Sequence, residues 1–264
     1  IQPITWMEPD YDRDVSPRWS PDGTRIAFVR MNGGGGEPDS ILTRQHNPWA
    51  IYSGDAASGK IKKLWTAPQT LRGSVPSTHG GTNLHWVAGR IVFLSYHDGW
   101  PHLYSIAEQG GDPILLTPGN FMCEYIKLSA DKKWIVFTAN AGTDPLDIDR
   151  RHIVKVPVDK PAMQVMTPGA GLEWTPAITG DGATLVFISA TTQRPPMTST
   201  MAVNGGKINL MGLDLLPALF PQTKLVTPKQ ITYNSPDGFS IHAQWLEQPG
   251  GNNKKKPVII YIHG

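Results

Sequence analysis

The sequence predicts an all-β fold, a β-propeller with about four recognisable four-stranded blades. Three observations lead there. Gly (27) and Pro (24) are abundant in the 264 residues while charged residues are only 17%, a mixture that suits short strands joined by tight turns better than a helical bundle. One strand-turn-strand pattern with a fixed phenylalanine recurs four times. Each recurrence is followed by two further β-prone segments, which makes four strands per unit.

The recurring segments are Ser16–Arg30 ("SPRWSPDGTRIAFVR"), Asn83–Ser95, Tyr125–Ala139 and Pro176–Ala190. Each places a short apolar strand before a tight turn and a second strand whose third residue is Phe: Phe28, Phe93, Phe137 and Phe187. These positions lie 65, 44 and 50 residues apart and use four of the seven phenylalanines. In Ser20-Pro21-Asp22-Gly23 the proline presets φ, the aspartate bonds nearby backbone and the glycine accepts a positive φ. Third strands follow at Pro48–Asp55, Pro101–Gly111, Arg151–Lys160 and around Ser199–Gly206; fourth strands follow in "KIKKLW", "PILLT", "MQVMT" and "KINLM". One such sheet cannot bury both its faces, so neighbours must stack. A β-sandwich gives no reason for a phenylalanine at these intervals. The nine tryptophans are expected to fill the gaps between blades. "PITWMEPD" near the amino end reads as the outer strand of an earlier blade, and Gly33–Gly36 as a flexible loop, since no Gly-Lys-Ser/Thr follows to make a phosphate cradle.

The carboxyl end has a different character. A second Ser-Pro-Asp-Gly turn, Ser235–Gly238, leads through Pro-Gly and three lysines to "PVIIYIHG", Pro257–Gly264. An unbroken apolar β-prone run is the signature of a strand buried on both faces, and in open α/β sheets chemistry collects beyond the strand's carboxyl end.

"WSPDGTRIAFV" resembles the repeats of Tol-associated propellers and of prolyl oligopeptidase-family serine peptidases. Residues 225–264 resemble the entry into the α/β-hydrolase domain of the latter, closest to the dipeptidyl peptidase IV-like and acylaminoacyl peptidase-like branches. The resemblance implies blades over residues 1–224, forming part of a seven- or eight-bladed ring. Residues 225–264 then form a linker and the first strands of a hydrolase domain that the chain does not complete. It also implies a propeller that admits short peptides to its own carboxyl-terminal catalytic domain, in a periplasmic or secreted enzyme, with the cytoplasm as the alternative compartment. The alternative is a non-enzymatic Tol-like propeller that binds a protein or peptide.

The family's Ser-Asp-His triad needs a G-x-S-x-G elbow, and the sequence contains none; by itself the segment is expected to be inactive. The resemblance assigns His263 and Gly264 to the loop that supplies an oxyanion donor. Dipeptidyl peptidases of the family hold the substrate's amine with a Glu pair. No Glu-Glu dipeptide occurs here, which leaves Glu124 and Glu173, each before an aromatic where a unit opens, as amine-binding candidates.

The remaining composition narrows the classes. Net charge is +2 with scattered Lys and Arg, so no clustered face points to nucleic acid. No apolar run is long enough to span a bilayer, and "IQPITWMEPDYDRD" has no secretory signal pattern. No metal or cofactor motif is present. His79, His85, His97 and His102 are expected in packing or rim roles. Cys123 is the one cysteine, and with no cationic neighbour in sequence it reads as a small buried hydrophobe.

Overall fold

A computed structural model describes residues 12–32, 45–77, 81–248 and 257–262. Gly33–Gly36, His79 and the amino-terminal "PITWMEPD" lie outside the described residues.

Each turn of the repeated motif folds for a local reason. In Ser20–Arg25 the Ser20 hydroxyl donates to Asp22 Oδ1 (2.5 Å) and accepts from the Arg25 N–H (2.9 Å), while Asp22 also accepts from the Thr24 N–H (3.1 Å). Ser129–Trp134 and Thr179–Thr184 repeat this arrangement. The fourth turn position has positive φ in all three: Gly23 (71°), Lys132 (57°) and Gly182 (72°).

The turns join strands into four antiparallel sheets, each in simple chain order. Blade 1 comprises β1 (Asp12–Trp19), β2 (Arg25–Asn32), β3 (Trp49–Asp55) and β4 (Ile61–Thr66). Blade 2 comprises β5 (His85–Val87), β6 (Arg90–Ser95), β7 (His102–Ala107) and β8 (Ile114–Leu115). Blade 3 comprises β9 (Cys123–Leu128), β10 (Trp134–Ala139), β11 (His152–Pro157) and β12 (Gln164–Val165). Blade 4 comprises β13 (Leu172–Ile178), β14 (Thr184–Thr191), β15 (Arg194–Ala202) and β16 (Asn209–Leu210). The expected strands are present in the expected order.

Burial explains the repeated phenylalanine. Phe28, Phe93, Phe137 and Phe187 are all 2% exposed or less. Phe93 packs with Ile51 and Trp49 of blade 1, Phe137 with Leu94 and Leu103 of blade 2, and Phe187 with Val136 and Ile153 of blade 3. Each of the three reaches the preceding blade, so the apolar core runs between sheets. Trp49 and Trp65 meet edge to face, and both rings contact Phe93 across the blade 1–2 gap. Polar ties cross the same gaps: Ser105 Oγ donates to Val158 O (2.6 Å) and Lys155 Nζ to Val203 O (3.2 Å), from equivalent places on β7 and β11.

The first strand of the blades carries a device with no obvious sequence signal. Its pairing slips by a bulge between Val15 and Arg18, and again between Trp174 and Ala177; the β9–β10 ladder shifts between Val136 and Thr138, opposite Lys127 and Glu124. The residue at the slip is left-handed without being glycine: Ser16 (φ 56°), Tyr125 (51°) and Thr175 (52°). Asn83 (46°) holds the same place ahead of β5. A bulge bends the strand and redirects the side chains next to it.

After blade 4, β17 (Lys229–Asn234) and β18 (Ser240–Trp245) form a hairpin around Ser235–Gly238, where the Ser235 hydroxyl donates to Asp237. Residues 257–262, expected as a buried strand, form no strand among the described residues and are exposed, with Ile259 at 94%. A strand exists only through hydrogen bonds to a neighbour, and the described residues offer this segment no such ladder. No helix among the described residues is long and apolar enough to cross a membrane.

Candidate functional site

Charged side chains gather around a cleft on blade 3. It has a volume of about 760 Å³ and is bordered by Phe121, Asn140, Asp144, Asp147, His152 and Met163. Asp144 caps the 3-10 helix Pro145–Asp149, accepting from the Leu146 N–H (2.9 Å), and Asp147 accepts from the Asp144 N–H (3.0 Å). The reciprocal pair satisfies donors that a helix start leaves open. It also turns Asp147 toward β11, where its carboxylate meets His152 Nε2 (3.0 Å) and Arg150 Nη1 (3.1 Å). A Cβ on Gly142 would collide with the Asp147 carboxylate, so only glycine leaves this seat open.

Glu173 approaches the same histidine from blade 4. It is 4% exposed, accepts from Ser189 Oγ (3.2 Å) and stands 3.6 Å from His152 Nδ1, too far for a hydrogen bond. A Cβ on Gly171 would strike this carboxylate too. Arg194 donates to Ser189 Oγ (2.9 Å) and to the Ser189 carbonyl (3.0 Å). Its pKa is lowered, because burial outweighs the opposing attraction of Glu173. For His152 burial disfavours the charge, yet Glu173 and Asp147 together overcome it and hold its pKa above the ordinary value.

Glu124 has a different neighbourhood. Half-buried on β9, it takes a charge-assisted bond from Arg151 Nε (2.5 Å). The two glutamates looked equivalent in sequence because each precedes an aromatic residue. In the structure Tyr125 is the bulge residue itself, whereas Trp174 stands one place before the bulge residue Thr175. Glu173 therefore matches Cys123 in register, and adjacent strand positions face opposite ways. Cross-blade bonds follow that register: the Glu173 N–H donates to Arg151 O (2.7 Å) and the Cys123 N–H to Pro101 O (2.8 Å).

Sequence reasoning also missed a repeated Asp–His pair. His102 opens β7 as His152 opens β11, and Asp98 holds its Nδ1 at 2.6 Å. His97 Nδ1 shares a hydrogen bond with Ser95 Oγ (2.8 Å). The signal was an acid four or five residues before a strand-opening histidine. Cys123 is buried and its thiol is pushed up to about 12, chiefly by burial. No group of three metal-ligating side chains occurs among the described residues. His263 and Gly264, the oxyanion candidates, lie outside the described residues.

Four serially packed antiparallel blades with a buried charged seam define a propeller-type domain. Residues 40–196 match the family described as the dipeptidyl peptidase IV (DPP IV) N-terminal region, and the chain belongs to that family. No curated protein matches the sequence. Among solved structures the chain is similar to a puromycin hydrolase (14% identity, TM-score 0.62, covering 88% of this chain and 33% of that one). It is also similar to a Mycobacterium tuberculosis puromycin-hydrolyzing peptidase (16%, TM-score 0.61, 88% and 34%). A third is a putative dipeptidyl aminopeptidase IV from Bacteroides ovatus (16%, TM-score 0.61, 93% and 35%). The chain spans about a third of the length of each, and at these identities the likeness is one of fold.

Proposed function

We propose that this chain is the substrate-gating propeller segment of a serine-type exo- or oligopeptidase that acts on short peptides. The observation that carries the reading is membership of the DPP IV N-terminal family, matched over residues 40–196, from the later strands of blade 1 into blade 4. The blades would belong to a seven- or eight-bladed ring whose bore excludes folded proteins sterically. In this reading residues 1–224 are the blade region, and residues 225–264 lead into the enzyme's own α/β-hydrolase domain. That domain supplies the triad, and the loop at His263 and Gly264 supplies an oxyanion donor. The compartment is the periplasm or the exterior, an expectation that rests on the family resemblance.

Of the two glutamates, Glu124 suits a substrate's free amine better. It is partly exposed, and Arg151 orients its carboxylate. Glu173 is buried and already engaged by Ser189 and the His152 imidazole, which suits a part in the blade seam.

The test is an assay of the intact gene product on chromogenic dipeptides and on a folded protein, together with fluorophosphonate labelling of the nucleophilic serine. Hydrolysis of dipeptides alone, with labelling, is the expected result; neither hydrolysis nor labelling would defeat the reading. Glu124→Gln should raise KM for substrates with a free amine by about tenfold or more and leave kcat within about twofold. Equal loss on amine-blocked substrates would remove Glu124 from that role.

A further inference from the structure

The first strands of the blades are the edges along which neighbouring sheets approach, with β1 against β5 and β9 against β13. The place two residues after each left-handed bulge residue holds Arg18, His85, Lys127 and Ala177. Register confirms the equivalence: these four pair with Ala27, Val92, Val136 and Val186, in each case the residue before the repeated phenylalanine. Three consecutive blades thus present a basic or imidazole side chain at one level of the same edge.

Four other arginines of the described residues have acidic partners. Arg25 pairs with Glu108, Arg30 with Asp14, Arg150 with Asp144 and Asp147, and Arg151 with Glu124. Among the described residues neither Arg18 nor Lys127 forms a salt bridge. Arg18 instead donates Nε to Leu84 O (2.8 Å) and Nη1 to Pro17 O (2.9 Å), which fixes its guanidinium beside His85. His85 Nε2 is buried with no hydrogen-bond partner. A buried polar atom left unmatched is costly unless something meets it. Burial, and then the charges of Arg18 and Lys127, hold the His85 pKa down at about 4, so this ring is neutral near pH 7. Two cations without an ion pair attract an anion, the neutral ring with its proton on Nε2 adds an N–H donor, and a fixed guanidinium favours a carboxylate oxygen pair.

We propose that Arg18, His85 and Lys127 form a subsite that holds a peptide carboxylate at the blade edge. The identification of the ligand as a peptide rests on the peptidase reading above; the anion site does not. Two sources share this chemistry, the carboxyl terminus of a peptide and an acidic side chain along it.

The experiment is calorimetric titration of the intact protein with three probes. They are N-acetyl-tetraglycine, its carboxyl-terminal amide, and the amide of N-acetyl-Gly-Glu-Gly-Gly; the acetyl group keeps the amine anchor out of play. At least one acidic probe should bind about tenfold or more tighter than the neutral amide, and which one does so identifies the source. Lys127→Glu should abolish that preference, and so should Arg18→Glu. Arg18 also ties blade 1 to Leu84, so if its variant misfolds, the exposed Lys127 still decides the outcome. Acid and amide probes that bind alike, or a preference that survives Lys127→Glu, would overturn the subsite. Binding is read without turnover, so loss of the carboxylate preference is distinguishable from absence of peptidase activity.

Discussion

Phe137 shows how much one repeated side chain carries. It is fully buried and packs with Leu94 and Leu103 of the preceding blade, joining two sheets that share no backbone ladder. Truncation to alanine removes the ring's transfer free energy and leaves a cavity that two rigid sheets cannot close. Phe137→Ala is expected to cost about 3–5 kcal/mol, read as a shift of the urea midpoint. A loss below about 1 kcal/mol, the size seen at surface positions, would mean that the inter-blade core lies elsewhere. The bulge residues act at the same scale in the opposite sense. Ser16, Asn83, Tyr125 and Thr175 accept a backbone region that side chains disfavour, and thereby set which strand neighbours point into the seam.

Among the elements, the Ser/Thr-x-Asp turns make stability depend on acid. Bonds from the Ser20 hydroxyl first, then from the Thr24 backbone and side chain, lower Asp22 to about 2 from an ordinary 3.8. Asp131, Asp181 and Asp237 are lowered too, in each case mainly by the hydroxyl of the turn's first residue. The unfolded chain thus binds these protons more readily than the folded one. Their contribution is complete above the ordinary value and disappears as pH falls through the folded values. Denaturant titrations should show stability declining from about pH 4 towards pH 2. Replacing Asp22, Asp131 and Asp181 together with asparagine should flatten that decline. An unchanged acid limb in the triple variant would remove the turns as its cause.

For the molecule as a whole, the seam between blades 3 and 4 titrates with the opposite sign. His152 is raised because Asp147 on its own blade and Glu173 on the next outweigh its burial; Arg150 and Arg194 flank the two carboxylates. The folded state therefore binds this proton more tightly than the unfolded chain. The contribution is complete below the unfolded histidine value of about 6.5 and is lost as pH rises through the folded one. Urea midpoints measured at increasing pH should fall across this window, and Glu173→Gln should make the fall shallower. The same slope in both proteins would show that Glu173 does not couple the blades through His152.

Four units, their strand order and the buried phenylalanines were legible in the sequence, because turn chemistry and β-alternation are local and repeat along the chain. The terminal apolar run was legible as a β-prone segment, but a strand also needs a hydrogen-bonding neighbour. The site was legible only in part. Glu124 and Glu173 were picked out by an adjacent aromatic, while their different surroundings followed from a one-residue difference in register. That register and the Arg18–His85–Lys127 row join segments roughly 40 to 70 residues apart in the recurring units. Composition and local propensity determined that this chain would form blades; only the packing of one sheet on the next decided which charges meet, since a charge's partner is set by distance in space and not by place in the sequence.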